Sequence, residues 1–346
     1  MKRLCISLAA LLLSTFAWSQ SNCVPIPISY TVTDLGALGG STSFATAINS
    51  SGSVTGFFPA ASGDTHAFLW TASTGMQDLG TLGGPITQGE GINDAGYVVG
   101  FAALPNYSLH AFLWTPTAGI KDLGTLGGPT GFSAGFGIDD HNRIVGNSYT
   151  LTNEMGGDIA IWTGSTIHDL GTNGNLFAQA NAVNSNFEVT GYSVNFSPGP
   201  VAFQWTKSGG FKTLPSLFVG DGSEALALNN HGLIAGNDYN STTRFSSAVV
   251  WNRGSVQGIG SLGGSAAAAG VNDQCQVVGN SYLSDNVTDH AFIWTPADRI
   301  QDLNNSISAN SGWVLECAAA INATGQIAGT GLINGLTHAF LLTPVP

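Results

Sequence analysis

Asp78–Lys121 reads DLGTLGGPITQGEGINDAGYVVGFAALPNYSLHAFLWTPTAGIK, and its internal order decides the fold. A short extended run, GEGIN, is followed by the turn NDAG, with Gly96 where a positive φ is needed. A β-branched run, YVVG, comes next. HAFLW is apolar and aromatic, TPTAG is another turn, and GIKDLG closes the unit. Four short strands separated by turn residues are predicted, with no helical periodicity. Glycine recurs too often for a helix to persist.

The unit repeats. DLG and its degenerate copies begin at Asp34, Asp78, Asp122, Asp169, Thr213, Gly258 and Asp302, at spacings of 44, 44, 47, 44, 45 and 44 residues. Such a period means a solenoid or a propeller. The turn opens at Asn49, Asn93, Asp139, Asn184, Asn229, Asn272 and Asn322, because an Asx side chain caps its own turn. The second strand carries Gly56, Gly100, Gly146, Gly191, Gly236, Gly279 and Gly329 in register. Each copy therefore needs a bend or a close backbone approach there. The third strand carries Trp70, Trp114, Trp162, Trp205, Trp251 and Trp294, with Leu342 in the last copy. Rings of that size fill the space between sheets.

HAFLLTPVP ends the sequence after a third strand, whereas ISYTVTDLG near its start is a lone fourth strand. A ring uses that offset by pairing the first strand into the last blade. The expected fold is all-β: a seven-bladed β-propeller with four-stranded blades, closed by the N-terminal strand. Residues 28–346 form this single domain. Residues 1–20 have a basic start, an apolar run from Leu4 to Leu13 and small residues at Ala17 and Ser19, the layout of a secretory signal peptide. No later segment is apolar for long enough to span a membrane.

HAFLW at His66 and His110, HAFIW at His290 and HAFLL at His338, with DLGTLGG and GINDAGYVVG, make the sequence resemble the bacterial extracellular HAF-repeat proteins. The resemblance covers about residues 30–346. Asp158, Val201 and Ser247 replace the histidine in copies three to five. The resemblance implies export and brings no catalytic residue or cofactor with it.

Without Lys2 and Arg3, seven Lys and Arg oppose 21 Asp and Glu, a formal charge of −14. Nucleic acid and anionic lipid surfaces are thereby excluded as partners. The four HAF histidines sit at equivalent places in four blades. They are read as local structural hydrogen-bonders, with the Asp of DLG as one candidate partner, and no shared metal is expected. Asp221 and Glu224 could supply two calcium oxygens, too few for a site. No cofactor, no catalytic residue and no metal centre is expected, and no GxSxG or HExxH motif is present.

The connections between strands two and three and between blades share one face, and they vary. Tyr149, Tyr239 and Tyr282 each follow the repeated Gly by three residues, and Trp313 is placed in an inter-blade loop. Tyrosine beside Asn and Ser suits a neutral, hydroxyl-rich ligand. The favoured reading is a secreted, monomeric binding module for a glycan or another extracellular partner. Its support includes the absence of titratable clusters beside these loops. A polysaccharide hydrolase or lyase at the mouth of the central funnel, and a structural envelope protein, are the alternatives. Cys275 occupies the turn-Gly place of the sixth copy, so a bridge to Cys23 is favoured, with Cys23–Cys317 as its rival. Cys317 is read as a small buried apolar residue.

Overall fold

The computed structural model describes residues 23–149, 157–195, 199–218 and 220–345. The expected signal peptide lies outside them. Seven four-stranded antiparallel sheets form a β-propeller. Blade 2 shows the pattern: Thr87–Ile92, Val98–Ala103, Leu109–Thr115 and Gly119–Asp122, each hydrogen-bonded to the next. Other blades span 44–78, 133–171, 177–213, 223–260 and 263–302. Blade 7 takes three strands from 313–344 and its outermost strand, Tyr30–Asp34, from the beginning of the domain. That strand pairs with Leu336–Pro344 in register from Tyr30↔Pro344 to Asp34↔Phe340. The sheet edge that would otherwise remain is thereby paired.

Seven apolar clusters hold the ring, each shared by two neighbouring blades. Val99 and Ala111 of blade 2, for example, pack with Ile138, Ile144, Ala160 and Trp162 of blade 3. The repeated tryptophans serve this contact: Trp162, Trp251 and Trp294 are essentially fully buried, and Trp70 and Trp114 nearly so.

The repeated Gly has a single cause. In each blade the first strand carries a bulge beside it, as between Gly89 and Gly91 opposite Val99 and Gly100. A bulge drives the backbone toward its partner strand. A Cβ on Gly100 would overlap the Gln88 carbonyl oxygen, and the other six glycines meet the equivalent carbonyl in the same way. Close approach, rather than an unusual φ, excludes side chains there.

The repeated Asx residues do more than cap turns. Asn49 Nδ2 donates to the Asn93 carbonyl of the next blade at 3.1 Å, and Asn93 donates to that of Asp139. Asn184, Asn229 and Asn272 continue the chain, and Asn322 returns to Asn49. The Asp139 side chain has no N–H to give. Arg143 supplies it, pairing with the Asp139 carboxylate and donating to the Ser185 carbonyl of blade 4 at 3.0 Å.

Cys23 and Cys275 form the disulfide, with Cα atoms 5.0 Å apart. Val24 N–H donates to the Gln274 carbonyl and Ile26 N–H to Asp298, so the strap before the closing strand is fastened to blade 6. Cys275 holds a φ of +61°, the conformation of the turn Gly it replaces. Cys317 is a free, half-buried thiol in the first strand of blade 7.

Candidate functional site at the loop face

The HAF histidines resolve first. His66, His110, His290 and His338 pair through Nδ1 with Asp78, Asp122, Asp302 and Asp34 at 2.7–2.9 Å. The same carboxylates accept the backbone N–H two residues on, as Asp78 does from Gly80 at 2.8 Å. The pairs staple third strands to outer strands and lie one per blade, so they form no common centre.

At the hairpin-turn end, a cavity of about 270 Å³ is lined by the Asx ring and the residues flanking it, including Asp94, Asp140 and Asp273. The backbone there is already engaged: Ser50 N–H donates to Asp94, Asp94 N–H to Asp140 and Asn230 N–H to Asp273.

The loop end is built differently. First strands begin there and second strands end there, so the residues beyond the repeated Gly define its rim. On blades 1, 3 and 4 the rim holds aromatic pairs: Phe44 stacked on Phe57 at 5.0 Å, Phe132 against Tyr149 at 5.0 Å, and Phe177 against Tyr192 at 6.2 Å. On blades 5 to 7 the rim is polar, with Glu224, Asn237, Asn280, Asp289 and Glu316 half-buried. The repeat dictates none of this. These are the positions at which copies differ.

Tyr149, Tyr239 and Tyr282 stand partly exposed at this end, in blades 3, 5 and 6. They share a register position and are not gathered around one point. The placement of Trp313 requires correction: it is not in a loop but opens the strand Trp313–Ile321. Its ring packs edge-on against Phe340 at 5.8 Å, at the border of a buried cluster. An apolar ring beside a free strand edge gains more by joining the sheet than by facing water.

Asp221 and Glu224 part company. Asp221 accepts from the Ser241 N–H at 3.0 Å, and Ser241 holds its carboxyl below the usual range. Glu224 faces Tyr192 of the preceding blade, where its charge adds to the burial that raises the phenol. Among the described residues no group of three His, Cys, Asp or Glu side chains is placed to hold a metal ion.

The loop face does carry a titratable cluster, contrary to the reading of its sequence. Asp289 begins the third strand of blade 6 and accepts from Asn280 Nδ2 at 2.7 Å. Burial pushes its carboxyl up, against the hydrogen bonds and the nearby His290. Glu316 belongs to blade 7, at a second bulge between Leu315 and Cys317. Burial raises it too, with Asp289 adding and His290 opposing. The Cys317 thiol beside them is pushed up to about 12 by burial and then by both carboxylates. A sequence signal existed: Glu316 and Asp289 are acidic departures from the repeat. Their meeting is a property of neighbouring blades. Glu90, at the bulge of blade 2, is a further departure, with its carboxyl raised to about 7 by burial.

A seven-bladed propeller with an amphipathic loop-side rim is thus the class of protein the geometry defines. No family model and no curated protein matches the sequence. The chain is similar in fold to virginiamycin B lyase from Staphylococcus aureus, at 13% identity and a TM-score of 0.59, covering 91% of this chain and 100% of that one. It is likewise similar to puromycin hydrolase, at 11% identity and a TM-score of 0.60, covering 93% of this chain and 55% of that one. At such identities the likeness is one of fold. No helix among the described residues is long and apolar enough to cross a membrane.

Proposed function

We propose that this protein is an exported binding module whose loop face recognises a glycan. One observation carries the reading: paired, half-buried aromatic rings on blades 1, 3 and 4 stand across the axis from amides and carboxylates on blades 5 to 7. Aromatic faces stack on sugar rings, amides donate to and accept from hydroxyls, and carboxylates accept from them. The disulfide is compatible with an oxidising compartment outside the cytoplasm. Screening the purified chain from residue 21 against an oligosaccharide array tests this. Retention of oligosaccharides, weakened several-fold in Phe57→Ala/Tyr192→Ala, is expected. An array on which nothing is retained would refute it.

A second reading, hydrolase or lyase action on polysaccharide at the same mouth, is favoured by Asp289 and Glu316. Burial raises both carboxyls, and the charge of Asp289 raises Glu316 further, the kind of environment in which neighbouring carboxyls take acid and base roles. It requires saccharide release by the native chain that Glu316→Gln and Asp289→Asn each abolish. Binding without turnover excludes it.

A further inference from the structure

Exposed apolar side chains are unevenly placed on this ring. Among the described residues fourteen large apolar or tyrosine side chains stand exposed, and eleven lie at the loop face, including Tyr107, Tyr239, Phe245, Tyr282 and Val287. The other three, Val24, Ile28 and Val345, belong to the strap and the last strand's exit. The aromatic ones among them add to the rings of the rim as faces on which a sugar can stack.

Basic side chains are unevenly placed across the same axis, whereas acidic ones lie at both ends. Arg244 is the one described Lys or Arg in a loop-face connection. Lys207, Arg253 and Arg299 stand in or beside the turns between third and fourth strands at the opposite face. Arg143 begins a second strand there, and Lys121 and Lys212 are on outermost strands. The loop face carries Asp64, Asp221, Glu224, Asp285, Asp289 and Glu316. Asp285 is held at about 2, first by the Thr288 hydroxyl and then by the Val287 and Thr288 N–H groups, and so stays anionic.

An acidic polymer would be repelled by this face. A neutral one would hydrogen-bond Asp289 and Glu316 through its hydroxyls but leave the negative charge of the face unneutralised. A ligand with ammonium groups on a hydroxylated ring satisfies both features: its sugar faces stack on the aromatics and its charges meet the carboxylates. We infer that the loop face takes a cationic amino-sugar polymer, with free amines spaced along a glycan chain. This rests on the glycan reading and narrows it.

Calorimetric titration with the hexamers of glucosamine, N-acetylglucosamine and galacturonic acid, and with hexalysine, separates the outcomes. The glucosamine hexamer is expected to bind about tenfold or more tightly than any of the others, and to weaken several-fold between ~0.05 and ~0.5 M salt. Asp221→Asn/Asp285→Asn keeps one acceptor oxygen in each loop while removing both charges, and should weaken glucosamine binding several-fold, leaving the N-acetylated hexamer unaffected. Equal binding of the two neutral and cationic sugars would overturn the amine preference and leave the glycan reading standing. Hexalysine binding as tightly as glucosamine would overturn it in favour of a basic peptide. Tighter binding of galacturonate would reverse the charge argument. If no saccharide binds, both readings fall.

Discussion

Asp34 and His338 hydrogen-bond at 2.9 Å although 304 positions separate them. The same pair occurs within blades 1, 2 and 6 between residues only 12 apart. Only at the seam does it join the first strand of the domain to its last. The repeat therefore treats a long-range closure as one more local contact.

Deletion of Ile28–Gly36 removes that strand and exposes the edge of Leu336–Pro344. Aggregation, or a large fall in melting temperature, is expected. A deletion variant that melts with the parent would show that the ring does not depend on the strand. His338→Ala removes only a partly exposed pair and should cost about 1 kcal/mol or less.

The Asx ring has one irregular link, and it can be rewritten. Arg143→Ala strands the buried Asp139 carboxylate, a loss of roughly 3–5 kcal/mol. Adding Asp139→Asn should recover most of it, because Asn is the residue at the other six places and donates its own Nδ2. Chemical denaturation of the single and double variants measures both. A double variant no more stable than Arg143→Ala would mean that the ring bond contributes nothing.

Two glycines of blade 2 should respond in opposite ways. Gly100→Ala drives a Cβ into the Gln88 carbonyl and is expected to cost roughly 3 kcal/mol or more. Gly96→Asn faces open space at a positive φ that Asn142 already adopts in blade 3. It should change stability by less than about 1 kcal/mol. Similar losses at the two sites would contradict the bulge as the cause of the repeated Gly.

The Cys23–Cys275 bridge closes a separation of 252 residues. In the chain-entropy model its removal costs up to about 5 kcal/mol. Cys23→Ser/Cys275→Gly restores the turn residue used in other blades, so any loss reports the link rather than the turn. Thermal melts of this variant, with and without reductant, should coincide with the reduced parent. Peptide mapping under non-reducing conditions should recover Cys317 as a free thiol.

Sequence alone determined the architecture: blade number, strand order, closure by the strand within Ile28–Gly36, the Gly and Asx positions, and the place of Cys275. The Gly and Asx positions recur in every blade because each answers a contact that every blade repeats, within the blade for Gly and with the next blade for Asx, and periodicity makes such contacts visible. Tertiary structure alone decided the rest. Trp313 joined a strand because Phe340 offered its ring an apolar neighbour. Asp289 and Glu316 met because the second bulge of the last blade's first strand takes Glu316 out of the strand's alternation. Neither event has a period. A site made of departures from a repeat becomes legible only when the ring places unlike blades side by side.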